Sequence, residues 1–139
     1  MIQLLEEHIL AIQDHGVREF PHECCGVILG DVENYLKIVR ELRPLTNVHE
    51  EGHERRYLVS PDEMFALMQE ERQTKRKVLG FYHSHPNHPA EPSIYDRDWA
   101  YPWYTYIIVS IQNGIPEKMT AWILNEDSTE FLEDEIKQI

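Results

Sequence analysis

The chain has 139 residues and 42% of them are hydrophobic, which suits one packed domain over residues 1–139 and excludes a disordered chain. Its 25 acidic residues against 13 basic ones give a net charge of -12, which argues against the basic groove that nucleic acid requires. No apolar run approaches the ~20 residues that span a bilayer, and the first residues show no signal-peptide pattern, so we expect no membrane partner.

The first part of the chain predicts one helix and two strands. Apolar side chains recur at helical spacing over residues 2–15, and Gly16 supplies a stop. A short apolar run over residues 24–29, closed by a Gly-Asp pair, predicts a strand, and the partial alternation of residues 35–42 predicts a second strand. The polar stretch 43–52 is typical of a loop.

The two cysteines of the chain, Cys24 and Cys25, are neighbours in the sequence. Adjacent cysteines rarely form an unstrained disulfide, so the pair is typical of a reducing compartment and predicts a cytoplasmic location. We interpret both side chains as buried and unreactive on the first strand.

A second helix is predicted to begin at Ser60. This residue can cap the helix, Pro61 suits the first helical position, and Glu63 completes a capping box. The residues expected to form its buried stripe are Met64, Leu67 and Met68.

The rest of the chain predicts four more strands. The first covers residues 78–83, and the almost continuously apolar run 104–111 predicts a central strand buried on both faces. An Asn-Gly turn precedes a strand over residues 118–124, and residues 129–132 are the last candidate. This mixture predicts an α/β fold in which helices pack against a sheet.

His83 and His85 are the first candidate metal ligands. Residues two apart on a strand point to the same face, so both imidazoles can converge on one metal ion. Pro86 cannot donate to a sheet ladder and should end the strand, while Ser84 should face the other way, toward packing or a supporting hydrogen bond. A lone His-x-His pair is weak evidence for a metal, so a third ligand is needed.

Asp96 is the candidate third ligand, after a proline-rich loop. The segment from Ser93 to Asp96 also matches a capping box, which alone would explain both residues. The two readings are compatible, since a helix start can direct Asp96 back to the histidines. Two histidines and one carboxylate leave a tetrahedral zinc with one position for water, whose pKa falls to about 7.

Other residues leave alternatives open at this point. A structural zinc site could use the two histidines with Cys24 or Cys25, whereas the Cys-x-x-Cys of zinc deaminases and the His-Glu-x-x-His of helical zinc proteases are absent. His49 and His53 are typical of a pair exposed to solvent, and His88 is typical of a residue at the rim of the site. The aromatic side chains that could line a substrate groove or pack in the core are Trp99, Tyr101 and Trp103.

A hydrolytic zinc site also needs a base, and Glu23 is the candidate, although spacing alone does not place it near the histidines. The segments His83-Ser-His-Pro and Ser93-Ile-Tyr-Asp resemble the signature of the JAMM (MPN-domain) metalloproteases, and Pro21–Gly30 is similar to the acidic residue and short strand that precede it in that family. These parts occur in the family's order, and the resemblance covers nearly the whole chain. It points to the compact stand-alone bacterial branch.

The resemblance implies a three-layer α/β/α sandwich around a mixed sheet, related to the deaminase fold. It implies zinc on His83, His85 and Asp96, with Glu23 as the base that holds the water and Ser93 as a donor to the oxyanion. Each of these positions keeps the family's residue, so the resemblance predicts an active enzyme. A non-catalytic MPN-type interaction module is the alternative.

The resemblance also implies a substrate class. Similar compact bacterial proteins hydrolyse the amide bond after the C-terminal Gly-Gly of a ubiquitin-like sulfur-carrier protein. The stretch 43–60 is too short for a large insertion that grips ubiquitin, so we expect no selectivity for one polyubiquitin linkage.

Overall fold

The computed structural model describes residues 1–46, 61–98 and 100–139. Helices and strands mix along the chain, with bounds β1 (Ile2–Leu4), α1 (Glu6–Glu19), β2 (Cys25–Glu33), β3 (Leu36–Leu45), α2 (Pro61–Gln73), β4 (Lys77–Pro86), α3 (Ile94–Asp98), β5 (Thr105–Gln112), β6 (Ile115–Leu124), β7 (Phe131–Asp134) and β8 (Ile136–Gln138). The described strands form one sheet in the order β7-β6-β5-β4-β2-β3-β1-β8. Because β4 and β5 are parallel while β2 is antiparallel to β4, the predicted mixed sheet is confirmed.

Two hydrophobic cores lie on opposite faces of this sheet. Ile12 of α1 packs into the first core with side chains such as Ile28 and Ile107. Leu67 of α2 packs into the second core with Val27 and Phe81. Successive strand residues point to opposite faces, so the apolar strands serve both cores. The result is a sheet with a helix on each side.

The structure of the central strand and its hairpin agrees with the prediction from the sequence. Every residue of β5 except Gln112 is buried, as expected for an interior strand covered on both faces. Asn113 and Gly114 have φ values of 52° and 82°, which are the positive values that a tight hairpin turn demands. Both predictions for this region are confirmed.

The N-terminal prediction is partly wrong. Residues Ile2–Leu4 form a strand that pairs in parallel with β3 and β8, so the helix begins later. The helix also continues through Gly16 to Glu19 instead of stopping. A Cβ at Gly16 would lie 2.9 Å from Cδ1 of Ile111, so this glycine permits close packing of the helix on the sheet.

The first two predicted strands are too short. β2 runs on past Gly30 to Glu33, and β3 continues to Leu45 in a stretch predicted as loop. The register between them shifts at Leu29 and Gly30, so the glycine marks an irregularity within the strand and not its end. The short strand β8 was not predicted, because three residues carry too little pattern.

The second helix begins at Pro61 as predicted, whereas the proposed cap, Ser60, lies outside the described residues. Leu67 is buried, Met64 is half-buried and Met68 is exposed, so the predicted stripe is only partly correct. Among the described residues, no helix has the length and apolar content needed to cross a lipid bilayer.

We predict that Gly80→Ala is strongly destabilising. A Cβ at Gly80 would lie 1.8 Å from the backbone oxygen of Thr105, so β4 and β5 would have to separate. Backbone overpacking of this kind should cost about 3 kcal/mol in the free energy of unfolding, measured by urea titration. The control is Gly114→Asn, where a Cβ meets only the Phe20 ring at 3.9 Å and asparagine tolerates positive φ; its cost should be about 1 kcal/mol or less. Equal costs for the two variants would contradict this account.

Candidate metal centre

The two histidines lie at the end of β4, which stops at Pro86 as predicted. His83 and His85 face the same side of the sheet and are almost fully buried. Ser84 points the other way, and its Oγ accepts a hydrogen bond from the Cys24 backbone N–H at 2.9 Å. This bond joins β4 to the residue before β2 and fits the supporting role expected for Ser84.

Three side chains converge beyond the end of this strand. His83 Nε2 lies 3.2 Å from His85 Nε2 and 3.0 Å from Asp96 Oδ1. His85 Nε2 lies 3.0 Å from Asp96 Oδ2. The structure thus brings together the three residues that the sequence predicted as ligands.

The hydrogen bonding of His85 fixes which of its nitrogens faces this cluster. Its Nδ1 lies 2.8 Å from the carbonyl oxygen of Pro89, which can only accept, so Nδ1 carries the proton and donates. This bond orients the ring so that Nε2 faces the carboxylate of Asp96. Such an orienting bond is typical of metal-binding histidines.

These contacts fit a metal ion. His85 Nε2 and Asp96 Oδ2 are 3.0 Å apart, which suits a hydrogen bond when a proton lies between them and equally suits two ligands of one cation. Ligands that are each about 2.0–2.1 Å from a tetrahedral zinc are roughly 3.3 Å from one another, close to the separations seen here. The donor set therefore suits a metal site.

Asp96 is placed by the helix that it helps to begin. The Ser93 backbone N–H donates to Asp96 Oδ2 at 2.8 Å, and the Asp96 backbone N–H donates to Ser93 Oγ at 3.1 Å. This reciprocal pair is the predicted capping box at the start of α3. The same box directs the Asp96 carboxylate at the histidines, so the two readings of this segment hold together.

Glu23 is the fourth group at this point, although it is distant in sequence. It lies two residues before β2, whose Cys25 is paired with His83 across the ladder. Its carboxylate offers an oxygen within 4.8 Å of ligand atoms of both His83 and His85, and its side chain is only 2% exposed. His83, His85 and Asp96 are the tighter set, at 3.0–3.2 Å, which favours them as ligands and leaves Glu23 beside them.

Burial and charge act differently on the four groups. Burial, together with the charge of Asp96, raises the pKa of Glu23 to about 9. Burial also lowers the pKa of His83. It disfavours ionisation of Asp96 as well, but the two histidines outweigh it and hold that pKa well below its usual range. A divalent cation here would compensate both carboxylates, and its charge would pull the pKa of Glu23 downward.

A cavity of about 290 Å³ gives access to the cluster, and we call it the metal cavity. Its walls include Glu23, His85, Ser93 and Tyr95. His88 also lines it and is half-buried, as expected for a rim residue. The cavity places the predicted base, one ligand and the predicted oxyanion donor around the same space.

Several other residues that the sequence singled out lie outside this cluster of side chains. Cys24 and Cys25 are buried and free, and burial raises the pKa of both thiols, that of Cys24 to about 12. Neither joins the ligand cluster found among the described residues. Tyr101 and Trp103 are exposed and belong to neither core. The remaining candidates, outside the described residues, are His49, His53 and Trp99.

Sequence reasoning missed one functional group, the Pro89 carbonyl that orients His85. A backbone oxygen has no side-chain signature. The nearest signal was the run of prolines after His85, which we interpreted only as stiffness.

The chain is similar to several known proteins. Residues 5–125 match the family model described as prokaryotic homologs of the JAB domain. A protein from Pyrococcus furiosus named desampylase is 31% identical over 123 residues, which cover 88% of this chain and 81% of that protein. A second desampylase, from Haloferax volcanii, is 35% identical over 91 residues, which cover 65% of this chain and 63% of that protein.

Solved structures share the fold. A protein from Desulfitobacterium hafniense, solved in solution, has a TM-score of 0.85 and 26% identity over all of this chain and 93% of its own. A JAB1/MPN domain protein from Archaeoglobus fulgidus has a TM-score of 0.63 over all of this chain and 97% of its own. At 16% identity the second likeness shows the fold alone.

We predict that His85→Ala loses the metal. Removal of one of three ligands should lower the metal content, measured by elemental mass spectrometry after dialysis against a weak chelator, from about one ion per chain to near zero. The control is His88→Ala, which changes a neighbouring imidazole that lines the same cavity without converging on the cluster, and it should keep the ion. Full metal content in His85→Ala would exclude His85 as a ligand.

Proposed function

Because this chain belongs to the family of prokaryotic homologs of the JAB domain, we propose that it is a zinc-dependent peptidase or isopeptidase of the JAMM type. The observation that carries this proposal is the convergence of His83, His85 and Asp96 beside the buried Glu23. In the proposal, the first three residues hold the ion and Glu23 is the acid–base group.

The choice of zinc rests on the kind of ligands. Two imidazoles and one carboxylate are typical of catalytic zinc, with a fourth tetrahedral position left for water. When bound, zinc would supply an activated water and polarise the scissile carbonyl.

Glu23 is suited to move the proton. In the proposed hydrolysis, the water oxygen forms a bond to the carbonyl carbon while Glu23 accepts the water's proton. The C–N bond then breaks, and Glu23 returns that proton to the leaving nitrogen, so the products are an amine and a carboxylic acid, which loses its remaining proton to solvent. Its buried position in the metal cavity keeps this proton out of bulk water.

Ser93 is suited to stabilise the oxyanion. Its Oγ accepts the backbone N–H of Asp96, and the hydroxyl retains its own proton to donate. The side chain lines the metal cavity with His85. A hydrogen-bond donor that is already held in place stabilises the negative charge that develops on the carbonyl oxygen only in the transition state.

The names of two relatives support a substrate class for the proposal. The proteins from Haloferax volcanii and Pyrococcus furiosus are both named desampylases. We propose that this chain acts on a ubiquitin-like sulfur-carrier protein and cleaves after its C-terminal Gly-Gly. Glycines have no side chains, so such a tail can pass through a narrow cavity and bring its carbonyl to the ion.

A route for an extended tail leads away from the metal cavity. Pro92 and Ser93 line both this cavity and a second one of about 350 Å³, whose walls include Trp122 and Phe131. Phe131 begins β7, the outermost described strand on this side of the sheet. An edge strand offers backbone groups that bind an extended peptide without demanding particular side chains.

We predict that Glu23→Gln keeps the fold and the zinc but loses nearly all turnover, because only the proton transfer is removed. Circular dichroism, metal analysis and the rate on a confirmed substrate test this. Ser93→Ala should lose activity by about 10²–10³-fold, as expected for one oxyanion donor. The control is Glu126→Gln, an exposed residue after β6. Turnover by Glu23→Gln at the parent's rate would exclude the mechanism, and a zinc-loaded parent without turnover would favour the interaction module.

We predict that the protein releases a peptide placed after the Gly-Gly of a sulfur-carrier protein from the same organism. Release, followed by intact mass, should require zinc and stop with a chelator. It should also fail when the last glycine is replaced by leucine, because a branched side chain blocks the narrow approach. If the extended carrier stays intact while an unrelated peptide is cleaved rapidly, this substrate class is excluded. The proposed zinc hydrolase activity would still stand.

A further inference from the structure

Three consecutive backbone carbonyls in the loop after β4, those of residues 88–90, each accept a hydrogen bond from a buried side chain. The middle carbonyl, of Pro89, accepts from His85 Nδ1 at 2.8 Å. The outer two accept from hydroxyl groups on the neighbouring strands, Ser110 of β5 and Thr120 of β6, each at 2.6 Å. The carbonyl that orients His85 thus lies between two carbonyls that are tied to the sheet.

The direction of the Thr120 bond is set by a third group. Trp122 Nε1 lies 2.8 Å from Thr120 Oγ1, and an indole N–H can only donate. The hydroxyl oxygen accepts this bond, so its single proton goes to the Ala90 carbonyl. Because Thr120 is buried, the bond is shielded from competing water.

Ser110 is directed in a similar way. Gln112 Nε2 donates to Ser110 Oγ at 2.8 Å and to the His88 carbonyl at 3.1 Å, while the serine hydroxyl donates to the same carbonyl. The register between β5 and β6 shifts at Ser110, and such an irregularity commonly re-aims a side chain. Across the other ladder, Ser110 is paired with His85 itself.

The two outer bonds restrict how the Pro89 carbonyl can turn. Peptide units are planar, and the ring of Pro89 holds its φ near about -65°. With the peptide units before and after it tied to β5 and β6, this carbonyl has little freedom to rotate away from His85 Nδ1. The Glu91 backbone N–H adds a second bond to the same oxygen at 2.8 Å.

We propose that Thr120 and Ser110 are positioning residues of the metal centre, whose hydroxyl groups hold the Pro89 carbonyl where it orients the ring of His85. The inference rests on the proposed function and adds to it two residues outside the ligand set. Removal of the partner that orients a metal-binding histidine commonly lowers metal affinity by about 10–100-fold. Because each hydroxyl acts through that partner, we expect the lower end of this range for each.

The experiment measures the zinc dissociation constant by competition with a chromophoric chelator. Thr120→Val removes the hydroxyl and nearly keeps the size of the side chain, and it should raise the dissociation constant about 10-fold. Thr120→Ser restores the hydroxyl and should keep the parent's value. Ser110→Ala should raise the dissociation constant by a similar factor, and it tests the same loop if Thr120→Val does not fold.

The matched control is Thr105→Val. Thr105 is a buried threonine at the start of β5, away from the metal cavity, and its hydroxyl accepts from Lys37 Nζ at 2.9 Å. In this variant and in Thr120→Val, one side-chain donor loses its acceptor, so both should lose stability to urea by similar amounts. The zinc dissociation constant should change in Thr120→Val alone.

An NMR measurement separates positioning from stability and from the proposed function. In the zinc-loaded protein, the Nδ1–H proton of His85 should exchange with solvent about 10-fold faster in Thr120→Val and at the parent's rate in Thr105→Val. Unchanged zinc affinity in both Thr120→Val and Ser110→Ala, or equal acceleration in Thr105→Val, would overturn the inference. Neither measurement requires turnover, so a parent that binds zinc and hydrolyses nothing would contradict the proposed function alone.

Discussion

Two imidazole nitrogens and the two oxygens of one carboxylate come together at the end of β4: His83 Nε2 and His85 Nε2 are 3.2 Å apart, and each lies 3.0 Å from one oxygen of Asp96. Imidazole nitrogens and a carboxylate that converge in this way form a donor set that one divalent cation can bind. A cation among them would also offset the charge of the buried carboxylate. The surrounding structure is best understood as the framework that keeps these atoms together.

That framework uses backbone groups to orient His85 and Asp96. The Pro89 carbonyl sets the proton of His85 on the far nitrogen, and the box between Ser93 and Asp96 fixes the carboxylate. Ser84, between the histidines, ties their strand to the backbone of Cys24. Orienting bonds of this kind commonly decide how well a metal site performs. Here they come from the loop after β4, from the start of α3 and from the contact of β4 with the segment before β2.

Local rules predicted the parts that depend on local geometry. His83 and His85 share a face because strands repeat every two residues, and the central strand followed from its continuous apolar run. The rules failed where contacts between distant parts of the chain determine the structure. Ile2–Leu4 is a strand because two other strands flank it. Gly16 lies within the helix because its missing side chain lets the helix pack closely on Ile111. Spacing alone did not place Glu23 at the site, since only the β2–β4 ladder brings it there, and the resemblance supplied what local physics lacked.

The separation of these residues along the chain also bears on how the site assembles. His85 and Asp96 are eleven positions apart, whereas the Cys24–Ser84 bond, which holds the segment of Glu23 against β4, spans sixty. Contacts between near neighbours in sequence form earlier than contacts that close long loops. Bringing His85 and Asp96 together therefore costs less loop-closure entropy than bringing Glu23 to them, so the proposed acid–base group depends on the pairing of β2 with β4 more than the two proposed ligands depend on each other.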